Sequence, residues 1–140
     1  MITLRHIAHA VGAGGTNAPA YRVELLVGRH RLVGDEPLTE GGGDVGPSPF
    51  GFLLTGLAAC TATTLRMYAT RKGWDFGDIT VDVRYDVDES GKASIDRKIT
   101  VPQSLSAEQR DRLAEVAGRT PVTLAIRTPI ATEVLPAASA

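Results

Sequence analysis

At 140 residues, with 43% apolar content and a formal charge of −1, the chain has the size of one globular domain with a modest core. Fifteen basic residues against sixteen acidic ones leave no excess to neutralise phosphates, which argues against nucleic acid as a partner. Three Phe, three Tyr and the single Trp74 imply a core built mainly from Val, Leu, Ile and Ala, part of it buried against a second subunit.

The opening MITLRHIAHAVGAGG scatters charge and polarity instead of placing a basic start before an apolar run, so it does not read as a secretory leader. A soluble, cytoplasmic protein without a membrane partner is expected. Strands are predicted over 2–11, 21–27 and 30–33, separated by the loop GAGGTNAPA and by a Gly28-Arg29 turn of hairpin length. The connection DEPLTEGGGDVGPSP, 35–49, is of the length that usually carries function. It ends on Ser48, whose hydroxyl can accept from a free first-turn N–H, and on Pro49, whose missing N–H does no harm at the first helical position. Arg71 and Lys72 suit the negative end of a helix dipole and Gly73 can close it, which predicts a helix of about 23 residues, about 35 Å long.

On that helix Leu53, Leu57, Cys60, Thr64 and Met67 form one stripe, with Leu54, Thr61, Leu65 and Tyr68 beside it. It is apolar or small almost all round, as expected of a central helix packed on more than one face. Thr55, Thr61, Thr63, Thr64 and Arg66 interrupt the run that a bilayer would require. Next, Ile79, Val81, Val83, Tyr85 and Val87 alternate with polar residues, and Ala93, Ile95, Arg97, Ile99 and Val101 repeat the pattern after a turn at Glu89-Ser90-Gly91. This is an antiparallel hairpin wet on one side. Ser106 and Gln109 form a capping box ahead of a helix that stops at Gly118, a short helix opens at Thr120-Pro121, and 130–135 is predicted as a closing strand. The order is βββ-α-ββ-α-α-β in one α+β domain, 1–140, without repeat or linker.

Cys60, the only cysteine, cannot form an internal disulfide, in keeping with a reducing compartment. An unpaired Cys most often packs as a small apolar group. Cys60 lies some three turns inside its helix, where the end dipole has faded, so a reactive sulfur there needs an outside cation to favour the thiolate. Arg22, Arg29, Arg31 and Arg66 are available, the strand arginines being better placed. Thr120 and Pro121 are explained as a helix start. His6, His9 and His30 make no metal set, because His6 and His9 fall on opposite strand faces without a carboxylate cluster. GGGDVG lacks the Lys-Ser/Thr of a phosphate loop, and nothing calls for a cofactor.

The segment GGGDVGPSPFGFLLTGLAACTATTLRMYATRKGW resembles the signature of the OsmC/Ohr family, the osmotically induced and organic-hydroperoxide-resistance proteins. DEP before it, QRDRLAEVA and TPVTLAIRTPIATEV after it extend the resemblance from about residue 22 to residue 135. The resemblance implies an intertwined α+β homodimer in which each long helix lies beneath sheets of both chains, with two sites at the subunit interface. It implies a thiolate at Cys60 that attacks the O–O bond of an organic hydroperoxide, becomes a sulfenic acid, and is trapped by a second cysteine as a disulfide that an external thiol reopens. It also implies an early-strand Arg beside that thiolate, Arg29 or next Arg22, and an acid near the start of the long helix. This chain departs from the pattern: the second cysteine falls on Thr120, a His falls on Thr123, and the acid falls on Gly51. Two functions are therefore expected in competition. One is a thiol-dependent hydroperoxide reductase of one-cysteine type, and the other a non-catalytic dimer that binds a small hydrophobic ligand.

Overall fold

The computed structural model describes residues 1–2 and 4–139. Its contacts divide the chain into two units, Met1–Leu54 and Thr55–Ala140.

The first unit holds three antiparallel strands, β1 (Ala8–Gly12), β2 (Val23–Val27) and β3 (His30–Gly34), in the order β1-β2-β3. Val27 faces His30 across a two-residue turn in which Gly28 takes a φ of 59°, the left-handed conformation such a hairpin turn requires. β1 is shorter than the predicted 2–11. After β3 the chain folds over Asp35, which is 3% exposed and accepts hydrogen bonds from the backbone N–H groups of Glu36, Gly43 and Val45. Burial alone would push this carboxyl up. The three N–H groups and the Arg22 charge outweigh it and hold Asp35 below the ordinary carboxylate range. Gly46 passes so close to the strand that a Cβ on it would lie 2.1 Å from the carbonyl oxygen of Val33, and only glycine fits.

Helix α1 (Pro49–Lys72) begins where the sequence places it, Ser48 Oγ accepting from Gly51 N at 3.1 Å. It ends at Gly73 with a φ of 70°. Leu57, Thr61, Leu65, Tyr68 and Ala69 form its buried stripe. Leu53 and Met67, on other sides, are 42% and 60% exposed. Within the chain the helix is fully buried along one stripe, Phe52, Leu54 and Ala58 are half-buried, and Leu53 and Met67 stay largely exposed. Its threonines and Arg66 lower the hydropathy without abolishing it: at a mean hydropathy of 1.2 it is long and apolar enough to cross a membrane by length and composition.

The second unit continues with the antiparallel hairpin of β4 (Thr80–Val87) and β5 (Ala93–Thr100), then α2 (Ala107–Ala117) and α3 (Pro121–Arg127). Its core comprises Leu65, Tyr68, Ala69, Phe76, Leu113 and Ala117, with Ile79, Ile99, Val101 and Trp74 packed against it. Both bonds of the predicted capping box at Ser106 and Gln109 are present. Residues 130–135 form no strand, since neither sheet offers them a ladder partner within the chain.

Candidate active site around Cys60

Cys60 is the free cysteine, and it is half-buried. Its position is fixed by the stripe that α1 buries: Leu57 lies one turn before it and Thr61 immediately after it, at 3% and 0% exposure. Thr61 Oγ1 donates to the Leu57 carbonyl at 2.7 Å, which satisfies the hydroxyl and leaves its lone pairs available.

Those lone pairs meet Arg97. The hairpin register pairs Arg97 with Val83, on the face that carries Val81, Tyr85, Ile95 and Ile99. A guanidinium is thus set among apolar side chains, where it must find acceptors. Arg97 Nη1 has three oxygens in reach: Thr61 Oγ1 at 3.0 Å, Thr123 Oγ1 at 2.9 Å and the Ala117 carbonyl at 2.8 Å. Thr123 is tied in turn to Thr120, their hydroxyls 2.6 Å apart, and Thr120 Oγ1 accepts from Thr123 N to cap α3. α1, β5 and α3 are joined here by one hydroxyl-guanidinium network.

Arg97 is held below its ordinary pKa, first by burial and then by repulsion from Arg127, while the charge of Cys60 acts the other way. No carboxylate among the described residues forms an ion pair with it. A cavity of about 110 Å³ opens beside the network, lined by Leu57, Ile95, Arg97, Thr123, Ile126 and Arg127.

The other expected residues lie as follows. Thr120 is fully buried in the network at the start of α3, and Thr123 beside it is 4% exposed. Gly51 sits in the first turn of α1, where an added Cβ would meet Pro47 and Ser48 at an ordinary 3.4 Å. Arg29 lies exposed in the β2–β3 turn of the first unit. Arg22, in the same unit, pairs with Glu24 at 2.8 Å and lines a largely apolar cavity of about 560 Å³ with Tyr21, Leu25 and Phe52. The Nε of Arg22 is enclosed and meets no hydrogen-bond acceptor among the described residues. Arg66 donates to the carbonyl of Gly77.

Arg97 is the residue that sequence reasoning passed over. Its signal was present: it occupies an inward position of a strand whose other inward residues are aliphatic, and a charge in that register needs an internal partner.

Against this geometry, residues 41–134 match the family model described as OsmC-like protein. Three solved structures share the fold. An OsmC-like protein of Mycoplasma pneumoniae aligns over 90% of this chain and 89% of its own at 18% identity, with a TM-score of 0.67. The organic hydroperoxide resistance protein OsmC of Legionella pneumophila aligns over 91% and 92% at 23% identity, with a TM-score of 0.65. The organic hydroperoxide resistance protein OhrB of Bacillus subtilis aligns over 90% and 93% at 22% identity, with a TM-score of 0.59. No curated protein matches the chain. The mixed α+β architecture with antiparallel sheets expected from the sequence is the architecture of these proteins.

Proposed function

The chain belongs to the OsmC-like family, and from that premise we propose that it is a one-cysteine, thiol-dependent reductase of organic hydroperoxides. The observation that carries this reading is a half-buried sulfur whose neighbour in the chain, Thr61, accepts from Arg97 Nη1 at 3.0 Å, a guanidinium with no carboxylate ion pair among the described residues. The reactive form of a cysteine is the thiolate, and an unneutralised cation beside it attracts that form.

In the proposed reaction the Cys60 sulfur attacks the outer oxygen of R–O–O–H. The O–O bond breaks, the alkoxide leaves and takes a proton to become an alcohol, and Cys60 is oxidised to the sulfenic acid. Thr120 stands where the resemblance expects a second cysteine, so an external thiol performs the next step: it forms a mixed disulfide with Cys60 and releases water. A second thiol then releases Cys60 and leaves as the disulfide of the reductant.

Arg97 is the cation of the second unit. Arg29, with Arg22 next, is the early-strand cation that the resemblance implies. The exposed apolar residues of α1 support an intertwined homodimer in which a second subunit covers them; a soluble, cytoplasmic setting belongs to the same reading. Organic hydroperoxide turnover with dithiothreitol tests the reading. Peroxide consumption by the native protein that is lost in Cys60→Ser is expected, and equal consumption by the two would overturn it.

A second reading has its own observation. The largely apolar cavity lined by Arg22 in the first unit, about 560 Å³, has the size and lining of a small-ligand site. A non-catalytic member that binds a small hydrophobic ligand there would show saturable binding of an apolar fluorophore that survives Cys60→Ser.

A further inference from the structure

Arg97 and Arg127 line one cavity of about 110 Å³, and each spends its hydrogen bonds on neutral oxygens. Arg97 is used by two threonine hydroxyls and a carbonyl. Arg127 Nη1 donates to the Gly118 carbonyl at 3.4 Å, which leaves most of its guanidinium free. Among the described residues no carboxylate forms an ion pair with either. Two guanidinium groups on the wall of one cavity, with no carboxylate between them, suit a bound anion. The rest of the wall is Leu57, Ile95 and Ile126, with the Thr123 hydroxyl, so the anion must be small and have a short apolar body. By volume the cavity equals about four waters at liquid density, enough for a carboxylate and one or two carbons. Leu57 sets the cavity one helical turn from Cys60, and Arg97 reaches from the cavity wall to Thr61, the residue that follows Cys60.

We propose that this cavity binds the carboxylate of a small thiol and so presents a carboxylate-bearing thiol to Cys60 as its reductant. The assignment of the thiol as reductant rests on the peroxidase reading of Cys60, while the anion pocket itself does not. Fork-shaped guanidinium groups suit carboxylates, and charge-assisted bonds of this kind are strong.

The pocket is tested without peroxide, by alkylating Cys60 in the full chain with iodoacetate and with iodoacetamide, reagents of similar shape that differ in charge. The iodoacetate-to-iodoacetamide rate ratio is expected to exceed that of a free thiol by about tenfold at low salt. It should fall towards the free-thiol value in Arg127→Gln and in about 0.5 M salt, and be largely kept in Arg127→Lys. A native ratio equal to that of the free thiol, or one unmoved by Arg127→Gln, would overturn the pocket.

Turnover then identifies the carrier. With a neutral peroxide, mercaptoacetate should outpace 2-mercaptoethanol by about the same factor, and Arg127→Gln should abolish the difference. A preference that appears only when the peroxide bears the carboxylate would overturn the assignment to the thiol. Loss of all peroxide turnover with the iodoacetate preference intact would overturn the peroxidase reading and with it the reductant, while supporting the pocket.

Discussion

Arg97 decides how the chemistry of Cys60 is read, because its Nη1 is the meeting point of Thr61, Thr123 and the Ala117 carbonyl. Arg97→Ala removes the donor that three enclosed oxygens share, and it is expected to destabilise the fold by about 1–3 kcal/mol in denaturant unfolding. Arg97→Lys keeps the charge but not the planar fork, so Cys60 alkylation by neutral iodoacetamide at pH 7 should fall less than in Arg97→Gln. Thr120→Ala removes the cap of α3 and should cost about 1–2 kcal/mol. At this scale the cap at Thr120 was legible because capping rules single it out, whereas Gly51 is marked only by the family resemblance. Arg97 was passed over, because it was counted as one more member of an alternating strand. The alternation already places a charge on the inward face, and the hairpin register, which pairs it with Val83, bears that placement out.

Among the elements, the connection from β3 to α1 is the one whose pH behaviour follows from its contacts. Asp35 is held below its ordinary range by N–H groups that bond the carboxylate, so its stabilisation is fully present above the unfolded value of about 4. It is lost as the pH falls from there through the lower folded value. Protection of the Gly43 and Val45 amides, the donors to Asp35, measured as exchange relative to the unstructured rate at the same pH, should therefore be full at neutral pH and decline as the pH falls below about 4, and Asp35→Asn should show low protection throughout. Gly46→Ala should disturb the same connection at every pH, because its Cβ would strike the Val33 carbonyl. The limits of α1 and both bonds of the α2 capping box follow from local rules that name the residues concerned. The strand expected at 130–135 does not form, since a strand is made by its neighbour as much as by its own residues.

For the whole molecule, α1 is more apolar than one chain can bury. The buried stripe accounts for Leu57, Leu65, Tyr68 and Ala69, while Leu53 and Met67 remain 42% and 60% exposed. The sequence pattern announced a helix packed on several sides, and one chain fully buries only one stripe of it. If a second subunit covers the rest, Gly56, where an added Cβ meets nothing within 4 Å in the single chain, lies on a face that cannot take a large side chain. Gly56→Trp should then convert a dimer to monomer in analytical ultracentrifugation, whereas a monomeric native protein would contradict the homodimer. The reactivity of the sulfur itself is read by intact-mass measurement after brief exposure to one equivalent of an organic hydroperoxide. One added oxygen confined to Cys60 is expected, converted to a mixed disulfide when a small thiol is added. A native protein whose mass is unchanged, with Cys60 still titrating as a free thiol, would contradict it.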